Sequence, residues 1–160
     1  MSKSHPALAH MAKIDETLNI HTLDKSWCDK DEVLLHAAFQ LLTDFVEREH
    51  PDRIVDYNHS EETRQRWAEL QALYHWWTMV RPSRQDPMLD PNLKTPPIET
   101  QPIYGSDGSI RHFQRIPYNP EIYPEYHQAL ALSAQLEQAW FDEDQQYLHR
   151  LVDMRPHLWC

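Results

Sequence analysis

Helically spaced polar side chains near the start of the chain are the first candidates for chemistry. Glu32, His36, Gln40 and Glu47 follow one stripe of a predicted helix, and Asp44 lies on the turn before Glu47. Carboxylates and imidazoles at such spacing can bind a metal ion in a helical bundle. Because the stripe lies opposite the apolar residues of the same helix, we expect it to face water. The sequence therefore predicts no metal and no other cofactor, with a site at Glu32, His36, Asp44 and Glu47 as the alternative.

A second candidate site combines aromatic rings with arginine side chains. Such groups can stack against a base and pair with a phosphate, so they suit a small anionic, nucleotide-like ligand. These rings and guanidinium groups would form one site only if a predicted hairpin, residues 98–116, folds over the end of the second long helix, residues 61–80. The competing interpretation, which stays open, buries the Trp rings in the core and leaves the Arg side chains solvated. The predicted ligand-binding residues are His75, Trp77, Arg81, Arg84, Arg111 and Arg115.

A third candidate is a partner-binding surface on a proline-rich arm. Residues 82–120 contain eight of the twelve prolines, a density that prevents a helix. The arm is more apolar than a linker requires, which favours docking to another protein or to a second copy of the chain. Packing of the arm against the protein's own helices is an equal alternative. The predicted partner-binding residues are Ile98, Ile103, Tyr104, Phe113 and Tyr118.

Nucleophilic catalysis finds little support in the sequence. The Gly-x-Ser-x-Gly pattern is absent, and a chain with two glycines has no Gly-rich phosphate loop. Cys28 lies just before a predicted helix, a position that can activate a thiol, but no His can be assigned to it as a partner. We therefore favour a non-catalytic protein over an enzyme. The alternative is a metal-dependent nucleotide or phosphoester hydrolase of the all-α type, built on the polar stripe.

The first of two long helices is predicted over residues 32–48. Asp29 and Glu32 have the spacing of a capping box at its start, and His50-Pro51 should end it. Two adjacent apolar stripes give this helix a face wide enough to pack against two neighbours. The stripes are Leu34, Ala38, Leu41, Phe45 and Leu35, Phe39, Leu42, Val46.

The second long helix, residues 61–80, carries three of the six tryptophan side chains. Asn58 or Ser60 is its predicted N-cap. Two further helices are predicted near the end of the chain, over residues 123–140 and 143–154. Asp142 and Gln145 have the spacing of a second capping box, which separates them.

The predicted fold is mostly α, a small bundle of four or five helices with a Pro-rich arm and one β-hairpin. Residues 98–104 and 110–116 form the hairpin around the loop 105–109, because alternating strands flank a glycine-containing turn. We expect a single domain over 1–160. Its predicted segments are an N-terminal segment 1–28 with a short helix over 6–18, a two-helix core 29–81, the arm 82–120 and C-terminal helices with a tail 121–160.

Composition restricts the partners and the compartment. The net charge of −10 argues against nonspecific nucleic-acid binding, which requires clustered Lys and Arg. No apolar run is long enough to cross a membrane, and the first twelve residues lack the apolar region of a secretory signal. Two cysteines are too few for a disulfide framework, which favours a reduced, cytoplasmic protein.

The segments 31–47, 66–77 and 151–159 resemble proteins of tailed bacteriophages to which no activity is assigned. The resemblance implies a phage origin and action in the cytoplasm of the infected bacterial host, or incorporation into the virion. It implies no site residues. The leading interpretation is therefore a phage-encoded binding protein that docks on a host factor or sequesters a small anionic ligand. A virion structural or assembly protein is a further alternative, and a homo-oligomer is compatible with each of these functions.

Overall fold

The computed structural model describes residues 18–23 and 28–158, and this part of the protein is mostly helical, with 61% of the described residues in helical segments. Within those ranges it has three α-helices and one two-stranded antiparallel hairpin. The mostly helical class and the hairpin are confirmed, whereas the count of four or five helices is not. The helix predicted over 6–18 lies, apart from Leu18, outside the described residues. None of the described helices is long and apolar enough to cross a membrane.

The described residues divide into two compact units. The first unit contains the residues up to Val80 together with those from Tyr147 onward, and the second unit is Arg81–Gln146. The long helices of the first half and the buried apolar cluster belong to the first unit. The proline-rich arm and its hairpin belong to the second. The expectation of a single domain stays a prediction.

Helix α1 spans Lys30–Asp44 and continues as a π-helical segment, Phe45–Glu49. It ends as predicted, because His50 adopts a left-handed conformation with φ 50° and Pro51 follows it. The capping box predicted at its start is wrong. Asp29 is the N-cap residue but makes no side-chain capping bond, and the Glu32 carboxylate instead lies 3.4 Å from His36 Nε2.

The expectation that the polar stripe of α1 faces water is wrong for two of its residues. His36 is 8% exposed and Gln40 is 3% exposed. The preceding segment provides their partners: Thr22 Oγ1 lies 2.7 Å from His36 Nδ1, and the His21 N–H donates to Gln40 Oε1. Because buried polar groups need hydrogen-bond partners, these two bonds make the burial tolerable.

Different residues of α1 are therefore buried from those that the apolar stripes predict. Leu34 and Leu41, assigned above to an apolar stripe, are exposed. Leu35, Phe39 and Leu42 from the neighbouring stripe are buried as expected. The core-facing surface of α1 therefore combines one apolar stripe with the imidazole and amide groups beside it.

Helix α2 spans Glu61–His75 and continues as a second π-helical segment, Trp76–Val80. Ser60 is its N-cap, which confirms one of the two predicted residues. The Thr63 N–H donates to Ser60 Oγ, and the Ser60 N–H donates to Thr63 Oγ1, so the two residues satisfy each other's exposed backbone donors. This reciprocal cap fixes where the aromatic helix begins.

The apolar core of the first unit is built on stacked aromatic rings. The rings of Phe39 and Trp77 stack with centroids 4.7 Å apart, and Trp76 stacks on Tyr147 at 4.0 Å. At the edge of this core, Arg150 pairs through Nε with Glu69 Oε1 at 2.7 Å. The buried apolar residues are Leu35, Phe39, Leu42, Phe45, Leu70, Leu73, Trp76, Trp77, Leu151 and Met154.

The two helices predicted near the end of the chain are one helix, α3, which spans Pro124–Met154. No Pro or Gly interrupts it. Asp142, predicted to cap a new helix, instead accepts a hydrogen bond from Gln138 Nε2 on the preceding turn. An i, i+4 pair of this kind supports a helix interior. The second predicted capping box is therefore wrong.

The hairpin consists of β1, Thr100–Tyr104, and β2, Ile110–Arg115, joined by residues 105–109. The loop has the predicted length and place. The Asp107 carboxylate accepts hydrogen bonds from the N–H and Oγ of Ser109, and Gly108 takes φ 78°, a left-handed conformation that favours glycine. Arg111 is an extra residue in β2, since Ile103 pairs with His112 and Tyr104 with Ile110.

Candidate functional site

Two arginines of the predicted ligand site form ion pairs within the second unit. Arg81 Nη2 lies 3.0 Å from Asp144 Oδ2, and Arg84 Nη2 lies 2.7 Å from Asp144 Oδ1. The same Arg84 nitrogen is 2.6 Å from Glu143 Oε2, and its guanidinium lies 5.7 Å from the ring centre of Trp140. These two cations therefore compensate carboxylates of the protein's own helix α3.

The charges of the two arginines and of Glu143 and Asp144 stabilise one another. Burial alone would lower the pKa of Arg84, but its hydrogen bonds to Asp144 and Glu143 outweigh that effect and raise the pKa above its ordinary value. Because Asp144 is largely buried, the two guanidinium groups also provide the charge that its carboxylate needs away from water. An anionic ligand at Arg81 or Arg84 would therefore compete with Asp144 for the same guanidinium groups.

The other predicted ligand-binding residues occupy different environments. His75 is the exposed last residue of α2, and Trp77 is a buried core residue that stacks on Phe39. The alternative interpretation, in which Trp is core, is thus the better account of Trp77. Arg111 and Arg115 lie exposed on β2. His75 and Trp77 belong to the first unit and the four arginines to the second, so their convergence stays a prediction.

The alternative metal site is not assembled as a ligand set in the described residues. Glu32 and His36 form a pair, Asp44 accepts a hydrogen bond from Gln40, and Glu47 accepts one from Tyr74. Across residues 18–23 and 28–158, no three His, Cys, Asp or Glu side chains are grouped so that they could hold a metal ion. The hydrogen bond that the Tyr74 hydroxyl donates to the Glu47 carboxylate raises the pKa of Tyr74, because it favours the neutral phenol.

The first unit contains a cavity that no sequence motif predicts. The cavity has a volume of about 680 Å³ and lies between the connector after α1 and the first turns of α2. Tyr57 and Trp67 line it with rings stacked 4.6 Å apart, and Arg53 and Arg64 add two basic groups. Arg64 is hydrogen-bonded to Glu61, a contact that lowers the pKa of the Glu61 carboxyl. The only signal in the sequence is a pair of aromatic residues on either side of a helix cap.

The predicted partner-binding residues lie on an exposed hairpin. Phe113 is 63% exposed, Tyr104 is 60% exposed, and every residue of β2 is exposed. In the antiparallel register Pro102 pairs with Phe113 and Tyr104 with Ile110, so these four side chains share one face. We call Pro102, Tyr104, Ile110 and Phe113 the apolar face of the hairpin.

The remaining predicted partner-binding residues lie outside the apolar face of the hairpin. Ile103 pairs with His112 on the opposite face of the hairpin and is half-buried, while Ile98 lies exposed just before β1. Tyr118, after β2, is half-buried: its ring meets Tyr126 edge to face, and its hydroxyl lies 2.9 Å from His127 Nδ1. The structure thus places Tyr104 and Phe113 together and separates them from the other three.

A small pocket lies at the base of the hairpin. Its volume is about 270 Å³, and its walls come from the segments on either side of the two strands. Pro96, Pro117 and Ile122 give it an apolar lining, with Tyr118 and Tyr123 as its aromatic walls. A pocket of this size suits a single apolar side chain better than a whole cofactor.

No protein-family model matches the sequence, and comparisons with curated proteins and with solved structures likewise return no match.

Proposed function

We propose that the protein is a non-catalytic binding protein whose partner docks on the second unit, at the apolar face of the hairpin. The supporting observation is the exposure of Tyr104 and Phe113 on a two-stranded sheet. Contiguous exposed apolar surface is unusual on a protein that works alone, and aromatic side chains dominate the energy of protein interfaces. A hairpin of two strands is also marginally stable in water, so a covering partner would stabilise it.

The pocket at the base of the hairpin supports the same proposal. Interfaces gain most of their affinity when an apolar side chain of one protein fills a pocket of the other. Ile122 and Tyr123 line this pocket, and the chain that leads to it leaves β2 at Arg115. A partner seated on Phe113 could therefore extend one side chain into the pocket.

Sequestration of a small anionic ligand is the weaker half of the original hypothesis. It relied on six residues, two of which, Arg81 and Arg84, are engaged by Asp144. Millimolar inorganic phosphate or ATP is therefore expected to leave the melting temperature unchanged, whereas a specific ligand would raise it. The resemblance to tailed-phage proteins makes a bacterial host protein the partner to look for, with the virion as the alternative setting.

The test begins with identification of the partner. The purified chain is immobilised, exposed to a bacterial extract, and the retained protein is identified by mass spectrometry and then purified. Calorimetry measures its affinity for the wild type and for the double variant Tyr104→Ser/Phe113→Ser. The double variant should weaken binding by at least about tenfold, since both side chains are removed from the centre of the interface.

The control replaces two equally exposed apolar side chains elsewhere. Leu34→Ser/Leu41→Ser lies on α1, in the first unit, and leaves the hairpin unchanged. This variant should bind the partner as the wild type does. Equal affinity of the wild type and the Tyr104→Ser/Phe113→Ser variant would overturn the proposed function.

A further inference from the structure

The hairpin has one edge that cannot accept another strand. The Ile116 N–H donates to Glu99 O, and the Gly105 N–H donates to Ser109 O. The N–H and C=O groups of successive residues in an antiparallel strand point alternately toward the paired strand and away from it. Those of Gln101 and Ile103 therefore point toward β2, and the backbone nitrogen of Pro102 points away from β2. Proline lacks an N–H, so the outer edge of β1 is blocked at its centre.

The outer edge of β2 has the opposite character. By the same alternation, the peptide groups of Phe113 and Arg115 point away from β1. Among the described residues the sheet has two strands, so no neighbouring strand covers this edge. It contains no proline, and all of its side chains are exposed. An extended peptide could therefore form main-chain hydrogen bonds along it.

The charge of β2 indicates which peptide would bind. Its six residues include Arg111, His112 and Arg115 and no carboxylate, in a chain whose net charge is −10. No ion pair engages Arg111 or Arg115 within residues 28–158, in contrast to Arg81 and Arg84. Opposite charges on adjacent strands stabilise their pairing, and like charges oppose it. The edge thus favours an acidic strand, and it disfavours a second β2, which would bring arginines together.

We infer that the outer edge of β2 binds an extended acidic segment of the partner as a third strand of the sheet. Phe113 and Arg115 lie on one face of the strand, two residues apart, so the segment should place an apolar side chain and a carboxylate at the same spacing. This inference rests on the proposed function, because it specifies how the hairpin contacts its partner.

The test uses a capped peptide of about eight residues, a length typical of a strand, that repeats Val-Thr-Glu-Thr. Val and Glu then lie two residues apart on one face of the strand, and we call it the Glu/Val peptide. Two control peptides replace Glu by Lys, or methylate every backbone nitrogen so that neither edge of the peptide can donate main-chain hydrogen bonds. Only the first peptide should bind, with an affinity that falls as salt rises. Exchange of the Phe113 and Arg115 amide protons with solvent, followed by NMR, should slow when it binds, because those N–H groups become hydrogen-bonded.

Charge reversal of the edge provides the second readout. The variant Arg111→Glu/Arg115→Glu should weaken binding of the Glu/Val peptide by about tenfold or more, and Arg111→Gln/Arg115→Gln by a smaller factor. The matched control Arg53→Glu/Arg155→Glu changes the net charge equally at two exposed positions of the first unit and should bind normally. Unchanged amide shifts of Gly105 and Ser109 confirm that the hairpin of each variant is folded.

Three results would overturn the inference: equal binding of the Lys peptide, binding without slowed exchange at Phe113 and Arg115, or self-association of the chain through β2. None of them affects the proposed function, which depends on the Tyr104→Ser/Phe113→Ser variant and the purified partner. If that variant keeps full affinity for the partner while the Glu/Val peptide still binds the edge, the proposed function is wrong and only the peptide site stands.

Discussion

Arg84 Nη2 lies 2.7 Å from Asp144 Oδ1, and the two side chains are only 15% and 12% exposed. Since Arg81 contacts the same carboxylate, Asp144 is the common anion of two guanidinium groups. These ion pairs link the start of the second unit to helix α3, and a role of the two arginines in anion binding stays a prediction.

Asp144→Ala should destabilise the second unit by about 3 kcal/mol, because it leaves two poorly solvated cations without their counter-charge. Urea unfolding followed through the NMR amide signals of residues 81–146 measures the change. Asp142→Ala, on the exposed side of the same helix, should change the stability by no more than about 0.5 kcal/mol. Equal effects of the two substitutions would show that the ion pairs contribute nothing.

Phe39→Ala should lower the free energy of unfolding of the first unit by about 3–5 kcal/mol, since it leaves a cavity between two tryptophans. The Phe39 ring contacts both Trp76 and Trp77 and is fully buried. Leu41→Ala, at an exposed position of the same helix, should cost far less. Urea unfolding monitored by tryptophan fluorescence compares them, and similar midpoints would contradict the assignment of the core.

Ser60→Ala should destabilise the first unit by about 1 kcal/mol, because the Thr63 N–H loses its acceptor. Asp29 occupies the equivalent position before α1 but makes no side-chain capping bond. Asp29→Ala should therefore have the smaller effect. Thermal unfolding of both variants by circular dichroism tests the order, which would be reversed if the sequence-based capping box at Asp29 formed in solution.

The Tyr74 phenol makes the stability of the first unit sensitive to alkaline pH. Its hydroxyl donates to Glu47, which raises the pKa of Tyr74 in the folded state above the ordinary value of 10.0. A group with a raised folded pKa contributes stability that is complete below the unfolded pKa and is lost as the pH rises through the folded pKa. The wild type should therefore lose more stability than Tyr74→Phe between pH 9 and about pH 11.

Urea unfolding of both proteins at several pH values in this range measures that difference. The other tyrosines titrate in the wild type and in the variant alike, so the comparison isolates Tyr74. Parallel losses of stability in the two proteins would show that the Glu47 contact contributes nothing in solution.

Local signals were sufficient for much of the fold. The sequence predicts both ends of the hairpin loop, residues 105–109, correctly. The turn depends only on hydrogen bonds within the loop, such as those made by Gly105, Asp107 and Gly108. The end of α1 at His50-Pro51 and the cap of α2 at Ser60 also depend on a few adjacent residues. Tyr104 and Phe113 were predicted to be on a binding surface, and their exposure is compatible with that role.

Contacts between distant residues explain the failures. The burial of His36 and Gln40 depends on Thr22 and His21, which no periodicity within α1 can reveal. The ion pairs of Arg81 and Arg84 are likewise hidden in the sequence, because Asp144 lies some sixty residues away, and a role of the two arginines in ligand binding stays a prediction. The capping spacing at Asp142 was misleading for a similar reason, since an acidic residue with a glutamine three positions later also fits a helix interior.

Pro102 has a consequence for how large an assembly built on this hairpin can become. Endless stacking of strands, as in amyloid, requires every unit to receive a strand on one side and offer one on the other. Because Pro102 blocks the outer edge of β1, the hairpin can pair with a further strand only along β2. Strands therefore cannot add to both edges, as a growing fibre requires. Its complexes should therefore be finite and discrete, and the exposed aromatic rings can persist without seeding fibres.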